Sequence, residues 1–183
     1  MDFQGWEDST LMASVAAGEM DALGELVHRH QDKVLGLAYR MLGEWNLAED
    51  VAQDTFVRVY RAAPTYRPRA RFTTWLYRIV TNLCLDARRR AKNSPSTLPD
   101  ASALSTPETA QDTVEANERA EMVRRAVQDL PERQRTVLVL HRYERLSYAE
   151  VAEVTGWTES AVESLLVRAY AGLRKSLARL EKK

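Results

Sequence analysis

The sequence predicts an all-α protein of two small helical domains joined by a flexible linker. Three observations carry that expectation. Strong helix formers dominate, and only seven Gly and six Pro interrupt the 183 residues. Apolar residues recur at three- and four-residue steps, the period of a helix with one buried face. Residues 93–117, NSPSTLPDASALSTPETAQDTVEAN, hold three of the six Pro, many Ser and Thr and no aromatic residue, the composition of an unfolded linker. The linker separates residues 1–92 from residues 118–183, each near the lower end of domain sizes.

In the first domain, Asp8 or Ser9 is placed to cap a short helix through Val15, which Gly18 breaks. A second helix spans about 20–42, with Leu23, Leu26, Val27, Val34, Leu37, Ala38, Met41 and Leu42 as its stripe and Gly43 as its C-terminal stop. Asn46 followed by Glu49 has the spacing of a capping box for a third helix. Its inner stripe is expected to be Ala48, Ala52, Phe56, Val59 and Ala63, with Asp50, Gln53, Asp54, Val57 and Arg58 on the other side. Pro64 ends it, and PTYRPRAR reads as a loop. The fourth helix, about 73–90, buries Phe72, Trp75, Leu76, Ile79, Val80, Leu83 and Ala87 and turns Tyr77, Arg78, Thr81, Asn82 and Arg88 the opposite way. The second domain is expected to hold helices at about 115–129, 131–143, 148–155 and 159–180, with Pro131 in a first helical turn and Ser147 and Glu150 as a capping box.

Charge is unevenly spread in a chain whose formal net charge is zero. Residues 61–92 carry nine bases (Arg61, Arg67, Arg69, Arg71, Arg78, Arg88, Arg89, Arg90 and Lys92) against the single acid Asp86. A net +8 segment inside a neutral chain is a local footprint for a polyanion. No apolar run approaches a membrane span, and the acidic N-terminus has no apolar signal core, so a cytoplasmic protein without membrane insertion is expected. Cys84 is the only Cys, which excludes an internal disulfide and suits a reducing compartment. His28 and His30 point to different helix faces, and His141 and Cys84 lie on other helices, so no metal site is expected. No nucleophile–base set and no phosphate-binding Gly loop stands out, so neither an enzyme nor a cofactor is indicated.

Two stretches carry function. SYAEVAEVTGWTESAVESLLVRAY, Ser147–Tyr170, is written as a helix-turn-helix. Val151 and Ala152 face inward, Gly156 supplies the left-handed turn residue, Trp157 closes the corner and Thr158 caps the second helix. Val162, Leu165, Leu166, Ala169 and Leu173 bury its inner face. Thr158, Glu159, Ser160, Glu163, Ser164 and Val167 remain outside, where a recognition helix meets base edges. In FTTWLYRIVTNLCLDARRR, Tyr77 and Arg78 beside a basic loop suit unstacked bases and the phosphates of a single strand.

LAEDVAQDTFVRVYRA, then FTTWLYRIVTNLCLDARRR, then a Pro/Ser linker, then LPERQRTVLVLHRYERLSYAEVAEVTGWTESAVESLLVRAYAGLRKSL resembles the extracytoplasmic-function sigma factors of bacterial RNA polymerase, over about 20–92 and 115–180. The resemblance implies a protein that binds core RNA polymerase, selects a promoter and opens it. By that likeness, residues 1–92 form sigma region 2. The helix matching Ala48–Arg61 docks on the polymerase clamp helices, with Glu49, Asp50, Gln53, Asp54, Phe56 and Arg58 as contacts. The melted minus-ten element meets Arg61, Tyr66, Arg67, Arg69, Arg71, Trp75, Tyr77, Arg78, Asn82, Arg88 and Arg89. Residues 118–183 form sigma region 4, near the polymerase flap. It reads the minus-thirty-five duplex with Arg145, Ser147, Tyr148, Thr158, Glu159, Ser160, Glu163, Ser164, Val167, Arg168 and Lys175. Most relatives are held inactive by an anti-sigma factor, so one is implied here. Many relatives carry Lys or Arg where this chain has Glu163, Leu165 and Tyr170, so its minus-thirty-five sequence does not follow from the likeness. Two other classes compete: a stand-alone helix-turn-helix regulator, which needs a dimerisation or ligand domain, and a helical adaptor, which leaves the nine-base stretch unexplained.

Overall fold

The computed structural model describes residue 3 and residues 5–68, 70–93 and 114–180. These fold into eight α-helices: α1 (Asp8–Ala16), α2 (Met20–Leu42), α3 (Trp45–Ala62), α4 (Phe72–Asn93), α5 (Val114–Gln128), α6 (Glu132–Arg142), α7 (Tyr148–Thr155) and α8 (Glu159–Leu180). A 3₁₀ turn over Ala63–Thr65 follows α3. No strand occurs among the described residues. The expected linker falls largely outside them, since α4 runs to Asn93 and α5 opens at Val114.

In the N-terminal half α2 is the central helix, packed on α1, α3 and α4. Leu26, Val34, Leu37 and Ala38 of its stripe are fully buried, and Leu11, Met12, Leu76 and Val80 close over them from α1 and α4. In the C-terminal half α8 packs on α5, α6 and α7. Val137, Leu138, Val139, Leu140, Val151, Val162, Leu166 and Ala169 form that centre. The two halves also touch: α4 lies against α7, and α2 against α5 and α6.

Several local expectations are corrected. Glu7, not Asp8 or Ser9, stands at the N-cap of α1, without a side-chain cap bond. The Asp8 carboxylate is drawn instead to Arg29 and His30 of α2. The capping box at Asn46 does not form: the N-cap lies two residues earlier, at Glu44, without a side-chain cap bond, and α3 opens at Trp45. The Trp45 ring packs edge-on against Tyr39 of α2 (5.5 Å), which fixes where the chain enters the helix. The buried stripe of α3 is Ala48, Val51, Thr55, Val59 and then Ala63. Thr55 enters it because its hydroxyl donates to Val51 O (2.7 Å), leaving Ala52 and Phe56 half-buried at the margin. Pro131 is the N-cap of α6 rather than a residue of its first turn.

The largest correction concerns α4. Tyr77 and Thr81, expected on a solvent face, are 5% and 0% exposed. With Cys84, Arg88 and Lys92 they form a second stripe at helical spacing. Tyr77 faces Glu144, Arg88 feels Glu132, and Lys92 lies 4.0 Å from Glu132. α4 is therefore buried on two sides, one by its own half and one by the C-terminal half.

The capping box of α7 forms as its sequence predicts. Ser147 Oγ accepts from Glu150 N (3.2 Å), while Ser147 N donates to Glu150 Oε2 (2.9 Å). Such a cap contributes about 1 kcal/mol. Gly156 ends α7 with φ 74°, a left-handed conformation that a Cβ would strain.

Candidate polymerase and nucleic-acid interfaces

The outer face of α3 is an unbroken polar strip. Glu49, Asp50, Gln53, Asp54 and Arg58 are all exposed. Val57 and Tyr60 add apolar surface beside them, 44% and 46% exposed. Phe56 is half-buried against the core, so it presents one edge rather than a free side chain. A rigid helix offering acids, an amide and scattered apolar atoms suits docking on another protein's basic helix.

The loop after α3 is held by aromatic packing. Tyr66 meets Trp75 edge-on (4.9 Å) and Phe72 (6.2 Å), and Phe72 lies 5.2 Å from His30. Burial, then the nearby Asp8 charge, push the Tyr66 hydroxyl above the usual phenol range. Arg61, Arg67 and Arg71 are exposed around this cluster, and Arg67 Nη1 donates to Tyr66 O (2.9 Å). Arg69 lies outside the described residues. Along α4, Arg78 and Asn82 are exposed and Trp75 is half-buried. Arg89 is exposed and pairs with Asp86 (2.8 Å). Arg88 is half-buried, and burial lowers its pKa. The cationic rim is thus Arg61, Arg67, Arg71 and Arg78, while Tyr77 and Arg88 turn toward the C-terminal half.

That junction has its own chemistry, which the sequence reading missed. Burial, then the charge of Glu144, raise the Tyr77 hydroxyl far above the phenol range. Burial raises the Glu144 carboxyl, opposed by Tyr77 and by the charges of Arg40 and Lys33. The Arg40 guanidinium lies over the Tyr143 ring at 4.8 Å. Gln128 donates to Arg40 O (2.9 Å), satisfying a carbonyl in the last turn of α2, and its amide oxygen accepts from Arg135. Gly43 permits this approach, since a Cβ there would stand 2.7 Å from Gln128 Oε1. Arg135 is 3% exposed and also donates to Gln128 O (3.0 Å). It is a structural residue and not, as its charge suggests, a phosphate contact. A cleft of about 1300 Å³ opens beside this junction, lined among others by Lys33, Tyr39, Arg40, Tyr77, Tyr143 and Glu144. These pairings join residues up to 88 positions apart, and no local sequence signal announces them.

The helix-turn-helix stands free of the junction on its outer side. Thr158 caps α8, its Oγ1 accepting from Ala161 N (3.2 Å). Glu159, Ser160, Glu163, Ser164, Val167 and Arg168 are exposed, with Val167 at 66%. Trp157 is half-buried under the Arg133 guanidinium (4.3 Å). Ser147, Tyr148 and Arg145 are exposed where α7 begins, and Lys175 is exposed further along α8. Arg145 is a non-Gly residue at φ 57°. That strained turn is held by Leu146, whose N–H donates to Leu140 O (3.2 Å) and whose carbonyl lies 2.7 Å from His141 Nδ1. An exposed helix face one turn after a fixed left-handed corner is the geometry that enters a major groove.

Known families carry both arrangements. Residues 26–94 match the model of sigma-70 region 2, and residues 120–173 match that of sigma-70 region 4. The sequence is 33% identical to the ECF RNA polymerase sigma factor SigW of Bacillus subtilis, over 89% of this chain and 92% of that protein. The chain belongs to the extracytoplasmic-function sigma factors. It is 36% identical to the RNA polymerase sigma-H factor of Pseudomonas aeruginosa, over 93% and 94% of the two chains. Among solved structures, CnrH in complex with the cytosolic domain of CnrY superposes with a TM-score of 0.69 at 30% identity, covering 94% of this chain and 97% of that one. The sigma factor RpoE of Bartonella quintana, solved with the anti-sigma factor NepR, shares the fold (TM-score 0.71, 18% identity, 85% and 96% covered). As a sigma factor the chain binds core RNA polymerase and directs promoter-specific initiation. No described helix is long and apolar enough to cross a membrane.

Proposed function

We propose that three surfaces divide this work. Residues 1–92 form the region 2 domain and residues 118–183 the region 4 domain; of the expected linker 93–117, the ends belong to α4 and α5 and the remainder lies outside the described residues. The α3 strip of Glu49, Asp50, Gln53, Asp54, Phe56 and Arg58 docks on the clamp helices. The Tyr66–Arg71 loop with Arg61, Trp75, Arg78, Asn82 and Arg89 holds the melted minus-ten strand. The face of α8 from Thr158 to Arg168, flanked by Arg145, Ser147, Tyr148 and Lys175, reads the minus-thirty-five duplex beside the flap. Tyr77 and Arg88 join the minus-ten surface only when the two halves separate. The observation that carries this reading is the unpartnered outer face of α8, exposed from Glu159 through Arg168 except at its inward positions.

The protein acts in the cytoplasm, without enzyme activity or a cofactor of its own. Its inhibitor is an anti-sigma factor. CnrH, 30% identical, is seen bound to the cytosolic domain of CnrY, which supports that reading. Transcription in vitro with core polymerase plus this chain, with the transcripts sequenced, tests the whole: defined start sites preceded by a shared motif are expected. A chain that binds duplex DNA and gives no start sites with core would be a stand-alone regulator instead.

A further inference from the structure

The cleft of about 1300 Å³ at the junction draws its walls from both halves. Lys33 and Arg40 come from α2, Arg119 and Arg124 from α5, and Arg145 from the turn between α6 and α7. Only two acids, Asp32 and Glu144, line it against these five cations. Glu144 is half-buried, and burial holds its carboxyl toward the neutral form. Arg124 is engaged by Glu121 (2.5 Å). Among the described residues, Lys33, Arg40 and Arg145 belong to no ion pair. A cleft lined by one sign of charge concentrates the opposite sign, so an anion is drawn here.

The same walls carry rings. Tyr39 and Trp45 line the cleft, meet edge-on at 5.5 Å and are each half-buried. Tyr143 is 40% exposed and carries the Arg40 guanidinium over its face at 4.8 Å. Gly36 leaves room for that guanidinium, since a Cβ there would stand 2.7 Å from Arg40 Nη1. Arg40 is thereby set in place before a ligand arrives. A guanidinium fixed beside open aromatic surface suits a ligand that joins phosphate to a planar ring. The cleft exceeds the roughly 300–1000 Å³ that encloses a small ligand, which leaves room for a ring system and a chain of phosphates together. An acidic peptide would answer the cations and leave the rings unused.

We propose that this cleft binds a nucleoside polyphosphate, its phosphates on Lys33, Arg40 and Arg145 and its base on the Tyr39–Trp45 wall, and that the bound nucleotide holds the two halves together. Lys33 and Arg40 belong to one half and Arg145 to the other. A phosphate chain that spans them makes contacts in the packed arrangement that it loses in the open one. Packing of the halves then follows nucleotide concentration. Of these three cations only Arg145 is also assigned to promoter DNA.

Binding is measured by equilibrium dialysis of the full chain against ATP and GTP. Neither DNA nor core polymerase is present, so failure here leaves the assignment of the DNA surfaces intact. At least one nucleotide should bind. Its nucleoside, which lacks the phosphates, should bind more than a hundredfold more weakly. Inorganic tripolyphosphate, which lacks the ring, should bind at least about fivefold more weakly. Lys33→Gln should weaken nucleotide binding about tenfold, the scale of one contact to a charged group. Arg145→Gly should do the same with the turn preserved, because glycine suits φ 57°. Arg179→Gln removes an exposed cation outside the cleft and should change nothing. Nucleotide at ten times its Kd should slow modification of the buried Cys84 by a disulfide reagent about tenfold. Binding of neither nucleotide would overturn the proposal. So would tripolyphosphate or hexaglutamate binding as tightly as the nucleotide, since the site would then take any anion or an acidic peptide. Equal losses in Arg179→Gln and Lys33→Gln would reduce the effect to overall charge, and a Cys84 rate unchanged at saturating nucleotide would remove the clamp; either result overturns the proposal. The comparison of nucleotide, nucleoside and tripolyphosphate on the wild-type chain decides the matter even where a variant fails to fold.

Discussion

Cys84 can report whether the two halves of the chain separate. It is fully buried and lies on the α4 stripe between Tyr77 and Arg88, both of which face the C-terminal half. Burial pushes its thiol up to about 12, so in the packed state it is inert to a disulfide reagent at neutral pH. In the open state it would return toward the ordinary value of about 8.5 and react. With opening fast and rare, the rate of modification is the opening equilibrium times the intrinsic rate. Tyr77→Phe removes only the hydroxyl that faces Glu144. A hydrogen bond at such a site contributes about 0.5–1.5 kcal/mol, so modification of Cys84 should speed up about 2- to 13-fold. Tyr77→Ala removes a ring that is 5% exposed. Loss of a buried aromatic costs about 3–5 kcal/mol, which corresponds to more than a hundredfold. Each variant should keep its helical circular dichroism, because the α4 face toward α2 is untouched. A Cys84 rate unchanged in Tyr77→Ala would refute the reasoning, since the stripe would then not be closed by the C-terminal half. A rate that in every variant equals that of global unfolding would refute separable halves.

Other outcomes follow from the same surfaces. Asp50→Ala with Gln53→Ala should weaken binding to core polymerase while leaving the circular dichroism unchanged; equal affinity in a titration of core would remove α3 as the docking face. Glu163→Gln should relax preference at one or two base pairs of the minus-thirty-five element, by about 1–3 kcal/mol of discrimination, with little change in salt slope. Arg168→Ala should weaken binding to all sequences and flatten the slope by about one unit; an equal gain in affinity for every sequence in Glu163→Gln would mean mere repulsion. Packing of the halves should depend on pH through Glu144. Burial raises its carboxyl in the packed state, so that state binds the proton more tightly than the open one. The stabilisation is complete below the ordinary Glu value of about 4.3 and is lost as pH rises through the raised value. Cys84 modification, corrected for the thiolate fraction, should speed up across that interval in the wild type and not in Glu144→Gln.

Helix positions were legible because each depends on neighbours close in sequence. The Ser147–Glu150 box and the left-handed Gly156 involve residues three positions apart or one backbone angle, and α7 begins and ends where those signals stand, while α8 opens after its cap Thr158. The exposed face of α8 follows from a single apolar stripe on a single helix. The same logic failed on α4, and for a physical reason. Periodicity reports the largest apolar stripe, and the second buried stripe of α4 is Tyr, Thr, Cys and the stem of Arg, which composition alone reads as polar surface. At Asn46 the capping pattern was present, yet the packing of Trp45 on Tyr39 overrode it.

The basic segment shows how far charge can be read without contacts. Residues 61–92 carry nine cations, but folding assigns them different tasks. Arg89 is turned onto Asp86, Arg88 is drawn under the C-terminal half, and Lys92 reaches Glu132. Arg61, Arg67, Arg71, Arg78 and Arg90 remain exposed outside those contacts. Exposed cations add to the attraction for a phosphate chain, whereas each one paired with a carboxylate contributes a dipole that falls off faster with distance. The polyanion footprint on α4 and its loop is therefore smaller in the packed chain than in the separated one. Separation of the halves would take Arg88 out of the field of Glu132 and release Lys92 from it, returning two cations to that surface. On the proposed assignment of α4 and its loop to the minus-ten element, opening would strengthen that surface for DNA, and a polyanion that engages those cations would favour the open arrangement in turn.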